Sequence, residues 1–304
     1  MSNQSPVTQV IFDNDGVNID SEHVAMQVMD DYGYNLVKRY CPDAALKRGE
    51  IYEEYPGNST DKIVKILAKK FDLPINKIIE DYNVPADENY AEFLADLITI
   101  ETNQKFMTHL EAIPGIQKTL KEIQEAYGEK NLFLCTTSRE DRMDISLEYA
   151  VDPNTGEKAG LDKVFPKGLS RISGYGCEQQ GYESKYHLFL DLHPDCDPAK
   201  AVVIEDSLSG VKKAISASPD FRVIGTAAAG FYKDKKAHAK ELLDAGACFV
   251  VTDIADLPKA IEWASNGFDE DSAPSFKAAV YREGIDITLE TERKIDTIPA
   301  PQPK

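Results

Sequence analysis

Two kinds of hydrophobic pattern divide the chain. Short apolar runs of strand length appear at Val7 to Phe12, Leu132 to Cys135, Ala201 to Ile204, Phe221 to Ile224 and Phe249 to Val251. Between them, apolar residues recur at three- and four-residue spacing, which predicts helices carrying Ile116, Leu120 and Ile123; Met143 and Leu147; Leu188, Phe189 and Leu192; Val211, Ala214 and Ile215; Leu242 and Leu243; and Leu257, Ile261 and Trp263. Such alternation is the signature of a doubly wound parallel α/β sheet. The stretch from Asn35 to about Phe106 breaks it. No strand pattern occurs there, only helical spacings: Ile63, Ile66, Leu67 and Phe71, then Ile78, Ile79 and Tyr82, then Tyr90, Phe93, Leu94, Leu97 and Ile98. Ser21 is expected to cap a preceding helix with Val24, Val28, Met29 and Tyr32, and Gly33 to stop it. The predicted organisation is a sheet domain from residues 1–20 and 109–266, an inserted α-helical domain at 21–108, and a tail at 267–304. The tail is acidic, ends in prolines and alternates at Ile285, Ile287 and Leu289, so an added edge strand and disorder both remain open.

Composition narrows the partners. With 304 residues the chain is long enough to bury a full core. Its 34 basic and 52 acidic residues give a net charge of −18, which disfavours nucleic acid and anionic membranes, since both demand Lys and Arg against phosphate. A small anionic substrate would need local cations to overcome the same field. The cysteines Cys41, Cys135, Cys177, Cys196 and Cys248 form no C-x-x-C pair, and the histidines show no metal-ligand spacing. With no signal segment or membrane-length apolar run in view, a cytoplasmic location is expected.

Polar residues placed directly after apolar strands converge at one edge of a doubly wound sheet. After Phe12 come Asp13-Asn14-Asp15-Gly16; after Cys135, Thr136-Thr137-Ser138-Arg139; after Ile204, Glu205-Asp206-Ser207 and then Gly210. Lys185 lies upstream of the strand ending at Ile204. Strand alternation is expected to point Asp13 and Asp15 to one side, where two acids can divide nucleophilic and proton-transfer labour. Singly, each motif has an ordinary reading: a polar turn, a strand-end hydroxyl, a surface lysine, an acidic pair at a helix start.

Taken in order, the four segments resemble the motifs of the haloacid dehalogenase superfamily, in its branch with a helical cap inserted after the first motif. The resemblance covers roughly residues 7–265 and implies a Rossmann-like core. It further implies an aspartyl-phosphate mechanism, with Asp13 as nucleophile and Asp15 as general acid and base. Mg²⁺ would be held by Asp13, the backbone carbonyl of Asp15 and Asp206, with Glu205 a subsidiary ligand. Thr136 would bind the phosphoryl group, assisted by Ser138, and Lys185 would offset negative charge.

Within that superfamily, an acid at Asp15 favours phosphate esters over carbon–halogen or phosphonate bonds. Mutases of the branch, such as β-phosphoglucomutase, carry a histidine twelve residues after the nucleophile and an arginine after a Gly-x-Ser; here those positions hold Ala25 and, after Gly57-Asn58-Ser59, Thr60. His23 lies on another helix face. Hydrolysis of a small phosphorylated metabolite, of sugar-phosphate or phosphoglycolate type, is the leading expectation, with a phosphomutase and a non-catalytic phospho-ligand-binding protein as alternatives. Lys47, Arg48, Ser59, Thr60 and Lys62 are cap positions suited to reading the substrate. The segment 151–160 and the tail depart from the family pattern, and neither substrate nor oligomeric state is legible.

Overall fold

The computed structural model describes residues 6–55, 59–268, 274–278, 280–282 and 285–287. These fall into two compact units: one runs from Ser21 to Leu110, and the other combines the described residues before Ser21 with those from Glu111 onward.

The second unit is built on a sheet whose strands are β1 Gln9–Phe12, β2 Leu132–Thr136, β3 Arg171–Ser173, β4 Ala201–Glu205, β5 Arg222–Thr226, β6 Phe249–Val251, β7 Val280–Arg282 and β8 Ile285–Ile287. They lie in the order β3-β2-β1-β4-β5-β6-β7-β8. The pairings from β3 to β6 are all parallel, with Ile11 beside Phe133 on one flank and Val203 on the other. β1, β2, β4, β5 and β6 are buried along their whole described length apart from Gln9, as expected of parallel strands covered on both faces. One face carries Ile11, Phe133, Val203, Val223 and Val250 against α9 Lys185–Leu192, α10 Leu208–Ala217 and α11 Lys235–Asp244. On the other, α6 Ile116–Tyr127, α8 Leu161–Val164 and α12 Leu257–Ser265 pack together, and Phe12 meets Phe165 edge-on at 5.7 Å. The chain leaves β1 for β2 and β3 on one side and returns to β4 on the other. The carboxyl ends of β1 and β4 therefore flank a topological switch point, where such sheets bind ligands.

β3 was not predicted: three residues, of which Ile172 is the buried one, are too few to register as a pattern. The segment 151–160 is a hairpin. Val151 pairs with Lys158 and accepts from the Ala112 amide at 2.8 Å, which lays the turn beside Glu111 and Ala112. The tail contributes β7, antiparallel to β6, and β8, antiparallel to β7. Before them, Asp256 accepts from the amides of Lys277 and Ala278 at 2.8 to 3.0 Å, and Phe276 joins a ring cluster with Phe249, Trp263 and Phe268. The rest of the tail, Leu289 included, lies outside the described residues.

The helical unit comprises α1 Ser21–Tyr40, α2 Glu50–Glu54, α3 Thr60–Lys70, α4 Ile75–Tyr82 and α5 Tyr90–His109 around Met29, Leu36, Ile51, Leu67, Ile78 and Leu94. Gly33 does not stop α1. A Cβ there would stand 2.6 Å from Ile51 Cδ1 and 2.9 Å from Leu67 Cδ1, so the glycine admits close packing inside a continuous helix. Ser21 is likewise a buried helical residue. Gly57 and Asn58 lie outside the described residues.

Candidate active site

β1 stops at Phe12, but the Asp13 amide still donates to Ile204 O at 2.9 Å, which fixes Asp13 beside the end of β4. The next residues leave the sheet in a tight loop: the amides of Val17, Asn18 and Ile19 all reach Asn14 O, and Gly16 takes φ +77°. Only glycine fits this turn well. Besides its left-handed backbone, a Cβ at Gly16 would fall 1.7 Å from Asp206 Oδ2. Asn18 Nδ2 donates to Asp13 O at 2.7 Å, and Asn14 Nδ2 to Ser146 Oγ at 2.9 Å, so both asparagines brace the loop.

Asp13, Glu205 and Asp206 are buried and offer carboxylate oxygens that all lie within 4.8 Å of one another. Lys185, the first residue of α9 and 2% exposed, places Nζ 2.8 Å from Asp13 Oδ1 and 2.9 Å from Glu205 Oε1. Two glycines permit these approaches. A Cβ at Gly174 would stand 2.4 Å from Lys185 Cβ, and one at Gly210 would stand 2.1 Å from the Glu205 carboxylate. Glu205 is fully engaged by protein donors: Oε1 by Lys185 and by Tyr186 Oη at 2.6 Å, Oε2 by the amide and hydroxyl of Ser207 at 3.3 and 3.2 Å. Ser207 also caps α10 by accepting from the Gly210 amide at 3.0 Å.

Burial and crowded charge shape the electrostatics. Burial pushes the Asp13 carboxyl up to about 7, with Lys185 opposing and Glu205 and Asp15 adding repulsion. Asp206 is held well above the carboxylate range by burial and by the charges of Asp13 and Glu205. At Lys185 burial opposes the charge, but Asp13 and Glu205 together outweigh it and raise its pKa. The Tyr186 hydroxyl is also driven up, first by burial and then by Glu205, which keeps it a donor.

Three crowded carboxylates against one ammonium resist ionising together, as the raised pKa values of Asp13 and Asp206 reflect, unless a further cation offsets their charge. An all-oxygen donor set of this kind suits a hard divalent cation, and the absence of a side chain at Gly16 is what lets the Asp206 carboxylate pack against the loop after β1. With Glu205 committed to Lys185, Tyr186 and Ser207, Asp13 and Asp206 are the carboxylates placed to hold such an ion.

Asp15 lies close enough to Asp13 to repel its charge, and its carboxylate has partners of its own. Its Oδ2 accepts from Ser138 Oγ at 3.0 Å and Thr136 Oγ1 at 3.3 Å, and Arg142 Nη2 stands 3.7 Å from Oδ1. The Ser138 amide in turn donates to Thr136 Oγ1 at 3.0 Å. Arg139, half-exposed, pairs with Asp141 at 3.4 Å and lies over Tyr175.

Of the positions singled out in the helical unit, Arg48 pairs with Asp31 and lies over Tyr34, the Lys47 amide donates to Glu50 Oε2, and Ser59 and Thr60 begin α3. His23 shares a 2.7 Å hydrogen bond with the Tyr52 hydroxyl.

The sequence reading missed Arg142, Tyr186, Tyr232 and His238. Tyr232 Oη donates to Asp206 Oδ2 at 2.7 Å, and His238 Nε2 lies 2.7 Å from Asp206 O. Tyr186 is adjacent to Lys185 and Arg142 lies on α7 Glu140–Tyr149, near recognised segments; Tyr232 and His238 follow β5 and lack even that signal.

No protein-family profile and no curated protein matches the sequence. Solved structures do match the fold. A conserved haloacid dehalogenase-like protein of unknown function from Agrobacterium tumefaciens is similar over 85% of this chain and 99% of its own, at 23% identity and a TM-score of 0.59. A haloacid dehalogenase family hydrolase from Deinococcus radiodurans with bound phosphate and sodium covers 86% of this chain and 97% of its own, at 22% identity and a TM-score of 0.57. CbbY from Rhodobacter sphaeroides in complex with phosphate covers 83% and 96%, at 18% identity and a TM-score of 0.54. The chain thus has the haloacid dehalogenase-like fold, and no helix among its described residues is long and apolar enough to cross a membrane.

Proposed function

We propose that the chain is a Mg²⁺-dependent phosphatase of the haloacid dehalogenase superfamily, hydrolysing a small phosphorylated metabolite through an aspartyl-phosphate on Asp13. The observation that carries this reading is the Asp13 carboxylate itself: it sits at the switch point, bound by Lys185 and crowded by Asp206, with a second acid, Asp15, on the Thr136–Ser138 hydroxyls. Phosphate bound to a neighbour of the same fold supports it.

In the first step an Asp13 oxygen attacks phosphorus in line, the ester P–O bond breaks, and Asp15 gives its proton to the leaving oxygen. In the second, Asp15 takes a proton from water as that water attacks phosphorus, and the Asp13–phosphorus bond breaks to release inorganic phosphate. Lys185 stays protonated throughout and offsets the charge of anionic nucleophile and anionic substrate. Thr136 and Ser138, which hold Asp15, would also bond phosphoryl oxygens. Mg²⁺, held by Asp13, Asp206 and the backbone carbonyl of Asp15, would neutralise charge on the transferring group. Glu205 acts by anchoring Lys185. A sugar phosphate or phosphoglycolate is the substrate class in view. Ala25 disfavours a mutase, since the position offers no proton-transfer group and the nearby His23 is bonded to Tyr52.

Hydrolysis of p-nitrophenyl phosphate should require Mg²⁺, vanish with EDTA, and fall by about 10⁴-fold or more in Asp13→Asn. Unchanged turnover in that variant would refute the nucleophile. Conversion of a sugar 1-phosphate to a 6-phosphate without free phosphate would install the mutase, and absence of turnover across sugar phosphates, phosphoglycolate and nucleotides would favour a binding protein.

A further inference from the structure

Tyr232 and His238 lie outside every recognised motif, yet both close on Asp206. The Tyr232 hydroxyl donates to Asp206 Oδ2 at 2.7 Å. His238 Nε2 lies 2.7 Å from the Asp206 main-chain oxygen, and because a carbonyl can only accept, that nitrogen carries the proton. The two rings stack with centroids 3.7 Å apart and planes 12° from parallel, so each holds the other in place.

The segment carrying them is tied down at several points. The Ala227 amide donates to Val251 O at 2.9 Å, Lys235 Nζ to Ala228 O at 3.1 Å, the Gly230 amide to Asp20 Oδ2 at 2.9 Å, and the Ala237 amide to Asp234 Oδ1 at 2.9 Å. His238 is buried on the first turn of α11. Asp206 Oδ2 therefore stands between the Cβ-less edge of Gly16 on one side and a fixed hydroxyl on the other. A carboxylate with no such partners would rotate about its Cβ–Cγ bond, and a small ion that demands regular geometry would lose most from that freedom.

We propose that Tyr232 and His238 are positioning residues that fix the carboxylate and main chain of Asp206 for a divalent cation, and so set both its affinity and the preference for Mg²⁺ over the larger Ca²⁺. The inference rests on the metal site of the phosphatase reading.

Titration calorimetry of the full chain with Mg²⁺ and with Ca²⁺ tests it, with Asp206→Asn as the control for the site. Tyr232→Phe removes a single oxygen and should weaken Mg²⁺ by about 10-fold, within the range for partners of metal ligands, while weakening Ca²⁺ less, so that the ratio of the two affinities narrows. His238→Ala should shift the ratio the same way, and His238→Gln, whose amide can still donate to the Asp206 carbonyl, should recover toward the parent. Melting curves without metal report folding; should His238→Ala melt early, Tyr232→Phe decides. Wild-type affinities and ratio in Tyr232→Phe, with binding abolished in Asp206→Asn, would overturn the positioning role and leave the metal site standing. If the unmodified chain binds neither ion, the metal site fails and this inference with it.

Discussion

Lys185 shows what single residues decide. One ammonium, 2% exposed, lies under 3 Å from both Asp13 and Glu205. Removing it strands buried charge, so Lys185→Met should cost about 3–5 kcal/mol in urea unfolding, and adding Glu205→Gln should return part of the loss by deleting one of the stranded carboxylates. No recovery would mean that packing, not charge, is what Lys185 supplies. The position was legible in the sequence only through its order among the motifs, since a lone lysine reads as a surface charge. Asp13, Asp206 and Thr136 were legible for a different reason: each follows an apolar strand. Tyr232 and His238 follow a strand too, but five or more residues past its end, where chain distance no longer predicts direction.

At the scale of elements, hydrophobic spacing located the helices well but misjudged Gly33. The residue type signals a stop, whereas the demand at that point of α1 is room for Ile51 and Leu67, which no local pattern encodes. The tail presents the opposite case. Its alternation left strand and disorder open, and the choice came from partners far along the chain: Asp256 for the amides of Lys277 and Ala278, Phe249 and Trp263 for Phe276, and β6 for β7. Deleting residues 274–304 should bare the β6 edge, lower the melting temperature by about 5 °C or more, and promote association at high protein concentration, read by light scattering. A truncated chain that melts with the parent and stays dispersed would show the added strands to be dispensable.

The whole molecule joins a unit with a chain-continuous core to one assembled from two stretches of sequence. Residues 21–110 carry their own buried cluster, from Met26 and Leu36 to Leu94 and Ile98, so expressed alone they should give a helical circular dichroism spectrum and a cooperative thermal transition. A gradual, non-cooperative loss of signal would show that this core needs the rest of the chain. By itself the sequence determined the alternation of strands and helices and the order of acids, hydroxyls and lysine, because these follow from local periodicity and chain order. Tertiary structure decided what those groups face. It turned Asp15 onto Thr136 and Ser138, gave Glu205 to Lys185 and Tyr186, and brought Tyr232 and His238 onto Asp206. Such contacts depend on strand order across the sheet and on loop closure, which join residues distant along the chain and leave no mark on local pattern.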